Sequence, residues 1–313
     1  MKNQLCTLLG IRYPIIQGAM TNVSNDIGLV CAVSNTGGLG IFAPGIENVD
    51  MDYVRGQIRA IRAATDKPFG VNIMLASPFA PQIVDVICEE KVPVVTTGAG
   101  NPTKYMEKLK AAGVIVGAVV AAREAAMKLD GVVDFIVAEG MESGGYIGRM
   151  STITLIPEVA DAVSIPVVAA GGFADGRGLA AAIALGAQGV QMGTRFLTTA
   201  ECTIPDWCKE ALVAASAKDA IVLGDRIGVP ARLRVLKTAD TAAILASEGA
   251  EGASAEAFQA AVSASRTNVY EKGLDGTLIG VGQCIGVLKE ITTVEETING
   301  MIAQYNNIAR DPF

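Results

Sequence analysis

Residues 134–140, DFIVAEG, decide the fold of this 313-residue chain. Their apolar side chains are continuous rather than alternating, a pattern typical of a strand buried on both faces of a parallel sheet. The run leads into residues 141–149, MESGGYIGR, where small residues surround a single aromatic side chain, Tyr146. A buried strand that ends in an acidic residue, glycines and one ring indicates a strand end that binds a ligand.

Seven further runs share this continuous apolar pattern. They are PIIQGAM from Pro14, GLGIFA from Gly38, FGVNIM from Phe69, VPVVTTGA from Val92, VIVGAVV from Val114, PVVAAGG from Pro166 and GVQMGTR from Gly189. The starts lie about 20 to 32 residues apart, and helical stretches such as YVRGQIRAIRAA, PQIVDVICEE and GLAAAIALGA separate them. Eight evenly spaced strand–helix units predict an α/β fold, a (β/α)8 TIM barrel, and a doubly wound sheet is the alternative.

The spacing of buried strands ends after Arg195. Residues 206–288 are rich in alanine and predict helices, in ALVAASAKDA, TADTAAILASEGA and SAEAFQAAVSAS, with no buried strand. The stretch TVEETINGMIAQYNNIA predicts an amphipathic final helix. We therefore expect a barrel over residues 1–205, a small helical lid and substrate region over 206–288, and a closing helix in 289–313 that packs back on the barrel.

Charge and composition argue against several classes of protein. A net charge of −7 disfavours binding to nucleic acid or to a membrane surface, since both need a basic field. The chain has no histidine, and its six cysteines form no CxxC pair, so we expect free thiols and no metal. The first 20 residues lack the features of a signal peptide, and no stretch could span a bilayer. These features predict a cytoplasmic enzyme.

Ligands of TIM barrels bind at the carboxyl ends of the strands. Gly171 and Gly172 end the seventh predicted strand, and Gly193 ends the eighth, so backbone N–H groups can approach an anion such as phosphate. The amides of Asn72 and Gln191 could meet the edge of a flavin ring, or could simply be hydrogen-bonded plugs at strand ends. No GxGxxG motif joins a strand to a helix, which favours FMN on barrel loops over FAD or NAD on a dinucleotide fold.

Seven motifs together resemble the FMN-dependent enoyl-acyl-carrier-protein reductases of bacterial fatty-acid synthesis, which belong with the nitronate monooxygenases (2-nitropropane dioxygenases). They are PIIQGAM, GGLGIFAPG, DKPFGVNIMLASPF, VVTTGAGNPTKYM, AEGMESGGYIGR, PVVAAGGFADGRG and VQMGTRF. The resemblance is strong over the first 200 or so residues and continues through GQCIG, near Gln283. It implies FMN phosphate at Gly171, Gly172, Gly193 and Thr194. It implies the isoalloxazine ring near Gly18, Ala19, Met20, Asn72, Glu139, Gln191, Gly144 and Gly145, with Gln283 closing the pocket from the lid.

The chain departs from these families at Tyr146. The resemblance implies a histidine there, in a GGHIG loop. In the monooxygenases this histidine looks like the base that deprotonates a nitroalkane, and in the reductases it is thought to assist substrate binding or protonation. Phenols titrate near pH 10 in water, so a phenol is a poor base at neutral pH but a protonated donor. Tyr146 therefore favours reductase chemistry, and the alternative is that its ring only fills the volume of an imidazole.

These observations predict an FMN-dependent, NAD(P)H-linked reductase of enoyl thioesters, carried on acyl-carrier protein or coenzyme A. The alternatives are a nitronate-type flavin oxygenase and a flavin-binding or regulatory barrel. We expect a homodimer, as is common for such barrels. A basic cluster, Arg226, Arg232, Arg234 and Lys237, has two interpretations: it steers an acidic carrier protein, or it forms ordinary structural contacts.

Overall fold

Eight parallel strands form a barrel in the computed structural model, which describes residues 3–21, 27–46, 48–229, 232–265 and 273–310. The strands of the chain are β1 (Ile15–Gln17), β2 (Gly40–Phe42), β3 (Phe69–Met74), β4 (Val94–Gly98), β5 (Ile115–Val120), β6 (Phe135–Glu139), β7 (Gly145–Ile147), β8 (Val167–Ala170), β9 (Gly189–Met192), β10 (Ala220–Leu223) and β11 (Arg232–Leu236). The barrel strands are ordered β1-β9-β8-β6-β5-β4-β3-β2. All eight predicted strands and the TIM barrel are confirmed.

Helices surround this barrel and fill the connections. They are α1 (Gln4–Leu9), α2 (Ile27–Thr36), α3 (Met51–Ala64), α4 (Ala80–Glu89), α5 (Thr103–Ala111), α6 (Arg123–Leu129), α7 (Thr152–Ala160), α8 (Gly176–Ala184), α9 (Thr194–Leu197), α10 (Asp206–Ala214), α11 (Ala239–Ser247), α12 (Ala255–Ser265) and α13 (Val294–Arg310). Two 3₁₀ turns span Ala217–Asp219 and Gln283–Val287. In the described ranges, no helix is both long enough and apolar enough to cross a bilayer.

Neighbouring residues of one strand are buried in different layers of the core. In β6, Phe135 and Val137 lie in the inner cluster of the barrel, whereas Ile136 and Ala138 lie in the larger cluster between strands and helices. The continuous apolar pattern of the sequence follows from this double burial. Leu5 of α1 also belongs to the inner cluster, so α1 covers the amino-terminal end of the barrel and leaves the carboxyl ends of the strands for the site.

The barrel closes between β1 and β2 through little backbone pairing. Among the described residues, this seam has one isolated bridge, Ile16 to Leu39, with backbone hydrogen bonds from Gln17 N to Leu39 O and from Leu39 N to Ile15 O, each 2.9 Å. The side chain of Gln17 is fully buried here. Its Oε1 accepts from Ile41 N at 3.1 Å, and its Nε2 donates to the carbonyl of Gly18. The buried amide of Gln17 therefore adds a hydrogen bond between β1 and β2, where the backbone pairing of the barrel is weakest.

The lid contains a sheet, so the prediction that residues 206–288 hold no buried strand was wrong. β10 and β11 pair antiparallel, and β7, from the loop after β6, pairs with the other edge of β11. Every residue of β11 is buried. Charged and apolar side chains alternate in its sequence, RLRVL, so this strand lacks the continuous apolar run that predicted the barrel strands. The predicted lid helices TADTAAILASEGA and SAEAFQAAVSAS are confirmed as α11 and α12. ALVAASAKDA is only partly helical, because α10 ends at Ala214 and the rest of the stretch contains a 3₁₀ turn and the start of β10.

The final helix packs against α8. Gly176 N donates to Gln304 Oε1 at 2.8 Å, and a Cβ on Gly176 would lie 2.4 Å from Met301 O. Arg195 binds the same region, since its guanidinium donates to the hydroxyls of Thr292 and, at 3.1 Å, Thr297. The boundaries of the three proposed parts, 1–205, 206–288 and 289–313, remain predictions. All six cysteines lie in the described ranges and are free thiols, as expected.

Candidate active site

The turn after β8 is built from two glycines in the left-handed region. Gly171 has φ +95° and Gly172 has φ +88°. A Cβ on Gly171 would lie 2.6 Å from Gly140 O, and one on Gly172 would lie 3.2 Å from the Cβ of Glu142. Both the backbone conformation and the space therefore require glycine. The result is an exposed stretch of main chain, without side chains, at the carboxyl end of β8.

Glu142 joins this turn to the lid, and the sequence did not reveal it. Its Oε2 accepts from the backbone N and the Oγ1 of Thr152, at 2.8 and 2.6 Å. Its carbonyl accepts from Gln283 N at 2.9 Å. Because the partners include a distant backbone group and the start of α7, nothing in the local sequence distinguishes Glu142 from a surface carboxylate.

Residues of the lid side close over the loop after β6. Gly282 N donates to Thr194 Oγ1 at 2.8 Å, and a Cβ on Gly282 would lie 3.4 Å from that oxygen and 3.5 Å from Gly144 N. A Cβ on Gly144 would lie 2.6 Å from the carbonyl carbon of Val281. The structure thus brings Gly144, its neighbour Gly145 and Thr194 together with the backbone of Gln283, whose side chain is exposed.

A second group of predicted residues meets at the ends of β1 and β9. Gly18 N donates to Met192 O at 2.9 Å, and a Cβ on Gly18 would lie 3.1 Å from Cγ of Gln191. A Cβ on Gly193 would lie 3.4 Å from the sulfur of Met20. Ala19, between these two contacts, is half-buried and packs against the inner barrel cluster.

Asn72 is tied to the neighbouring strand. Its Nδ2 donates to the carbonyl and to the Oγ1 of Thr96, at 3.2 and 3.0 Å. These bonds match the interpretation of Asn72 as a hydrogen-bonded plug. They engage only the Nδ2 atom, and Oδ1 is the atom that could meet a ligand.

Two polar groups lie together at the end of β6. Burial raises the pKa of Glu139 to about 7, and the hydroxyl of Ser143 acts in the opposite direction. The Ser143 hydroxyl is close enough for that effect, but its Oγ forms no hydrogen bond of normal geometry with any described residue. Ser143 was not predicted, because an isolated serine in a glycine-rich loop has no sequence signal.

Tyr146 lies on a strand rather than in a free loop. It is the central residue of β7 and pairs with Leu233 of β11. Paired residues of an antiparallel sheet share a face, and Leu233 belongs to the apolar cluster of the lid. The tyrosine is 39% exposed and lies on the face of this sheet that carries Leu233.

The arginines of β11 hold the loop that precedes and contains Tyr146. Arg232 donates to the carbonyl of Gly148 and, at 2.9 Å, to Asp225 Oδ1. Arg234 donates to Met141 O at 3.1 Å and to Ala220 O at 3.0 Å. Both side chains are buried, so their interpretation as a surface for an acidic carrier was wrong. Arg226 and Lys237, the other members of the cluster, are exposed.

The sequence profile of the nitronate monooxygenase family matches residues 2–83 and 76–304. The chain belongs to the nitronate monooxygenase family. It is 34% identical over 268 residues to a probable nitronate monooxygenase of Staphylococcus aureus, a match that covers 71% of this chain and 75% of that protein.

Another relative of this chain has a different name. The chain is 42% identical over 236 residues to a 5-hydroxy-7a-methyl-1-oxo-octahydro-1H-indene-4-carboxyl-CoA dehydrogenase of Rhodococcus jostii. That match covers 74% of this chain and 65% of the relative, so the chain spans less than two thirds of the dehydrogenase.

Solved structures extend the comparison to nearly the whole chain. FabK from Thermotoga maritima has a TM-score of 0.92 and 41% identity, and the match covers 99% of this chain and 98% of FabK. The nitroalkane oxidase of Streptomyces ansochromogenes has a TM-score of 0.81 at 24% identity and shares the fold. The relatives of this chain thus include oxidoreductases whose names describe different substrates, a nitronate and a carboxyl-CoA compound.

Proposed function

We propose that this chain is an FMN-dependent, NAD(P)H-linked reductase of the activated double bond of an enoyl thioester. Support comes from the resemblance of its motifs to the FMN-dependent enoyl-acyl-carrier-protein reductases and from its full-length match to FabK. The name of the Rhodococcus relative contains a coenzyme A thioester, which supports the same class of substrate.

The residues at the strand ends fit FMN. The turn of Gly171 and Gly172 offers main chain without side chains, as a phosphate requires. Gly193 and Thr194 would add a second contact to the phosphate. The buried hydroxyl of Ser143, which lacks a partner among the described residues, offers a polar contact to the ring. We assign the ring to the space bounded by Gly18, Gln191, Glu139 and the loop of Gly144 and Gly145.

Bound FMN would carry a hydride from the nicotinamide to the β-carbon of the enoyl thioester. The chain's own residues bind and orient the reactants and exclude water. The α-carbon must then receive a proton, so that the double bond becomes a single bond as the nicotinamide is oxidised. Tyr146, which is 39% exposed and lies in the segment that follows β6, is the proposed donor of this proton or of a hydrogen bond to the thioester carbonyl.

The observation that carries this proposal is the lack of histidine anywhere in the 313 residues. Removal of a proton from a nitroalkane needs a base, and position 146 carries a phenol, whose hydroxyl can donate a hydrogen bond, instead of an imidazole. The substitution therefore favours reduction over nitroalkane oxidation. The Staphylococcus relative supports the second candidate, a nitronate monooxygenase.

Anaerobic stopped-flow spectroscopy of the flavin separates these functions. The reductase predicts bleaching of the flavin by NADH or NADPH and its reoxidation by a crotonyl thioester. Reoxidation only by O₂, with consumption of a nitroalkane, would instead support the monooxygenase. A flavin that neither nicotinamide nor nitroalkane reduces would identify a binding or regulatory barrel.

A further inference from the structure

A buried hydroxyl in the loop after β6 lacks a partner. The side chain of Ser143 is 7% exposed, and its Oγ forms no hydrogen bond of normal geometry with any part of the chain that the structure describes, although the Glu139 carboxyl lies near it. Burying a polar atom without a hydrogen bond costs free energy, and native proteins rarely keep such atoms. A ligand that pairs with the hydroxyl accounts for its retention.

A carboxyl with few partners lies beside this hydroxyl. Glu139 ends β6, and burial raises the pKa of its carboxyl to about 7. Ser143 is the one side chain that acts on this pKa, and no cation in the described ranges pairs with Glu139. A hydroxyl and a carboxyl therefore share one niche at the strand end.

The loop around Ser143 is held in place on both sides. Glu142 is fixed through its bonds to Thr152 and to Gln283 N. Gly144 packs against Val281, where a Cβ would lie 2.6 Å from backbone. Ser143 N donates to Gly140 O at 3.1 Å. Because both neighbours and its own main chain are anchored, the backbone of Ser143 is fixed, and only its side chain can rotate.

We propose that the Ser143 hydroxyl, with the Glu139 carboxyl beside it, is a hydrogen-bonding site for the polar edge of the FMN ring. The edge of such a ring carries N–H and carbonyl groups side by side. A hydroxyl next to a carboxyl offers both a donor and an acceptor to them. The inference rests on the proposed function, since it presupposes FMN.

The variant Ser143→Ala tests this assignment because the two states of the protein should respond in opposite directions. In the apoprotein it removes an unsatisfied atom, so the thermal midpoint should rise by about 2 °C. In the FMN complex it removes a hydrogen bond, so the Kd for FMN should rise about 10-fold. Release of FMN from the holoprotein, followed by flavin fluorescence, gives the same comparison if the apoprotein is difficult to prepare.

Ser34→Ala is the matched control. Ser34 is 1% exposed, and its Oγ accepts from Gly40 N at 3.2 Å, near the amino-terminal end of β2. Losing a satisfied bond there should lower the thermal midpoint and leave the affinity for FMN unchanged.

The outcomes distinguish this inference from the proposed function. A wild-type protein that takes up no FMN would contradict the proposed function itself. A wild type that binds FMN, with Ser143→Ala binding it equally well, would overturn only the role of Ser143. Equal FMN binding would overturn that role even if the KM for the enoyl thioester rises, because the hydroxyl would then bind the substrate and not FMN. A fall in the apoprotein midpoint like that of Ser34→Ala would assign Ser143 a structural role and also overturn the inference.

Discussion

Glu139, at the end of β6, makes its own contribution to the pH dependence of stability in this protein. Burial raises the pKa of Glu139 from 4.5 to about 7, so the native state holds its proton more tightly than the unfolded chain does. The direction in which stability changes with pH follows from the difference in bound protons between the native and unfolded states. The carboxyl is neutral in both states at low pH, and stability falls as the pH rises from about 4.5 to about 7.

The variant Glu139→Gln should remove this dependence. Its amide mimics the neutral acid, so the variant should come close to the wild type near pH 4, below both pKa values. Near pH 8 it should be more stable, by at most about 3 kcal/mol. Thermal midpoints of both apoproteins between pH 4 and 8.5 measure the difference, in which all other titrating groups cancel. A difference that stays constant over this range would contradict the raised pKa.

Tyr146→Phe tests the proposed proton donor. The variant keeps the ring and should retain FMN and its reduction by NAD(P)H. Loss of a general acid should slow reoxidation by the enoyl thioester on the order of 10²-fold. Single-turnover stopped-flow traces separate the two half-reactions. A reoxidation rate within about twofold of wild type would make Tyr146 a packing residue and assign the proton to solvent.

At the scale of elements, the sequence predicted the strands whose apolar residues are continuous along the chain. It did not predict the elements and residues that depend on contacts between distant segments. The eight barrel strands are buried on both faces, and this leaves a local apolar signal in each. β11 is buried as well, but its two arginines find backbone carbonyls in distant segments, and the sequence cannot show such partners. Glu142 and Ser143 escaped notice for the same reason. The glycines of the turns were found because their conformation needs a particular residue type.

Arg234 should act as a structural element of β11 and not as a docking residue. Arg234→Met leaves the carbonyls of Met141 and Ala220 without this donor and should destabilise the protein by roughly 2 to 4 kcal/mol. Activity should fall equally on carrier-bound and short-chain thioesters, because the loop of Tyr146 serves both. Lys237→Met, at an exposed position of the same cluster, is the control. A loss confined to the carrier-bound substrate would restore the docking interpretation.

The glycine turn after β8 should bind the phosphate of FMN. Gly172→Asp and Gly172→Ala both force a side chain onto a residue with φ +88°, so both should lose stability. Only the aspartate adds a negative charge against the phosphate. The ratio of flavin to protein after purification should therefore fall far more for the aspartate than for the alanine variant. Equal flavin content in the two variants would contradict the placement of the phosphate.

At the scale of the whole molecule, the lid and the barrel are connected through shared hydrogen bonding. β7 leaves the barrel after β6 and becomes an edge of the lid sheet, and Gln283 N returns from the lid side to Glu142. The site is therefore assembled from both parts. Fold class follows from local patterns repeated eight times, whereas the site depends on contacts between segments more than 90 residues apart, as Arg234 and Met141 illustrate.

Closure of the barrel provides the last prediction, because one side chain reinforces its thin backbone seam. β3 and β4 pair over five residues, but among the described residues β1 and β2 share one bridge, which Gln17 reinforces. Leucine is close to glutamine in volume, but Gln17→Leu removes the hydrogen-bond acceptor of Ile41 N in the barrel interior. The variant should therefore lose about 2 to 4 kcal/mol of stability. Since a barrel opened at its seam exposes the whole inner cluster, we expect one cooperative transition at lower denaturant concentration, with an unchanged slope. Gln259→Leu, on the exposed face of α12, should leave the midpoint unchanged. A Gln17→Leu midpoint equal to that of the control would show that the backbone bridge alone closes the barrel.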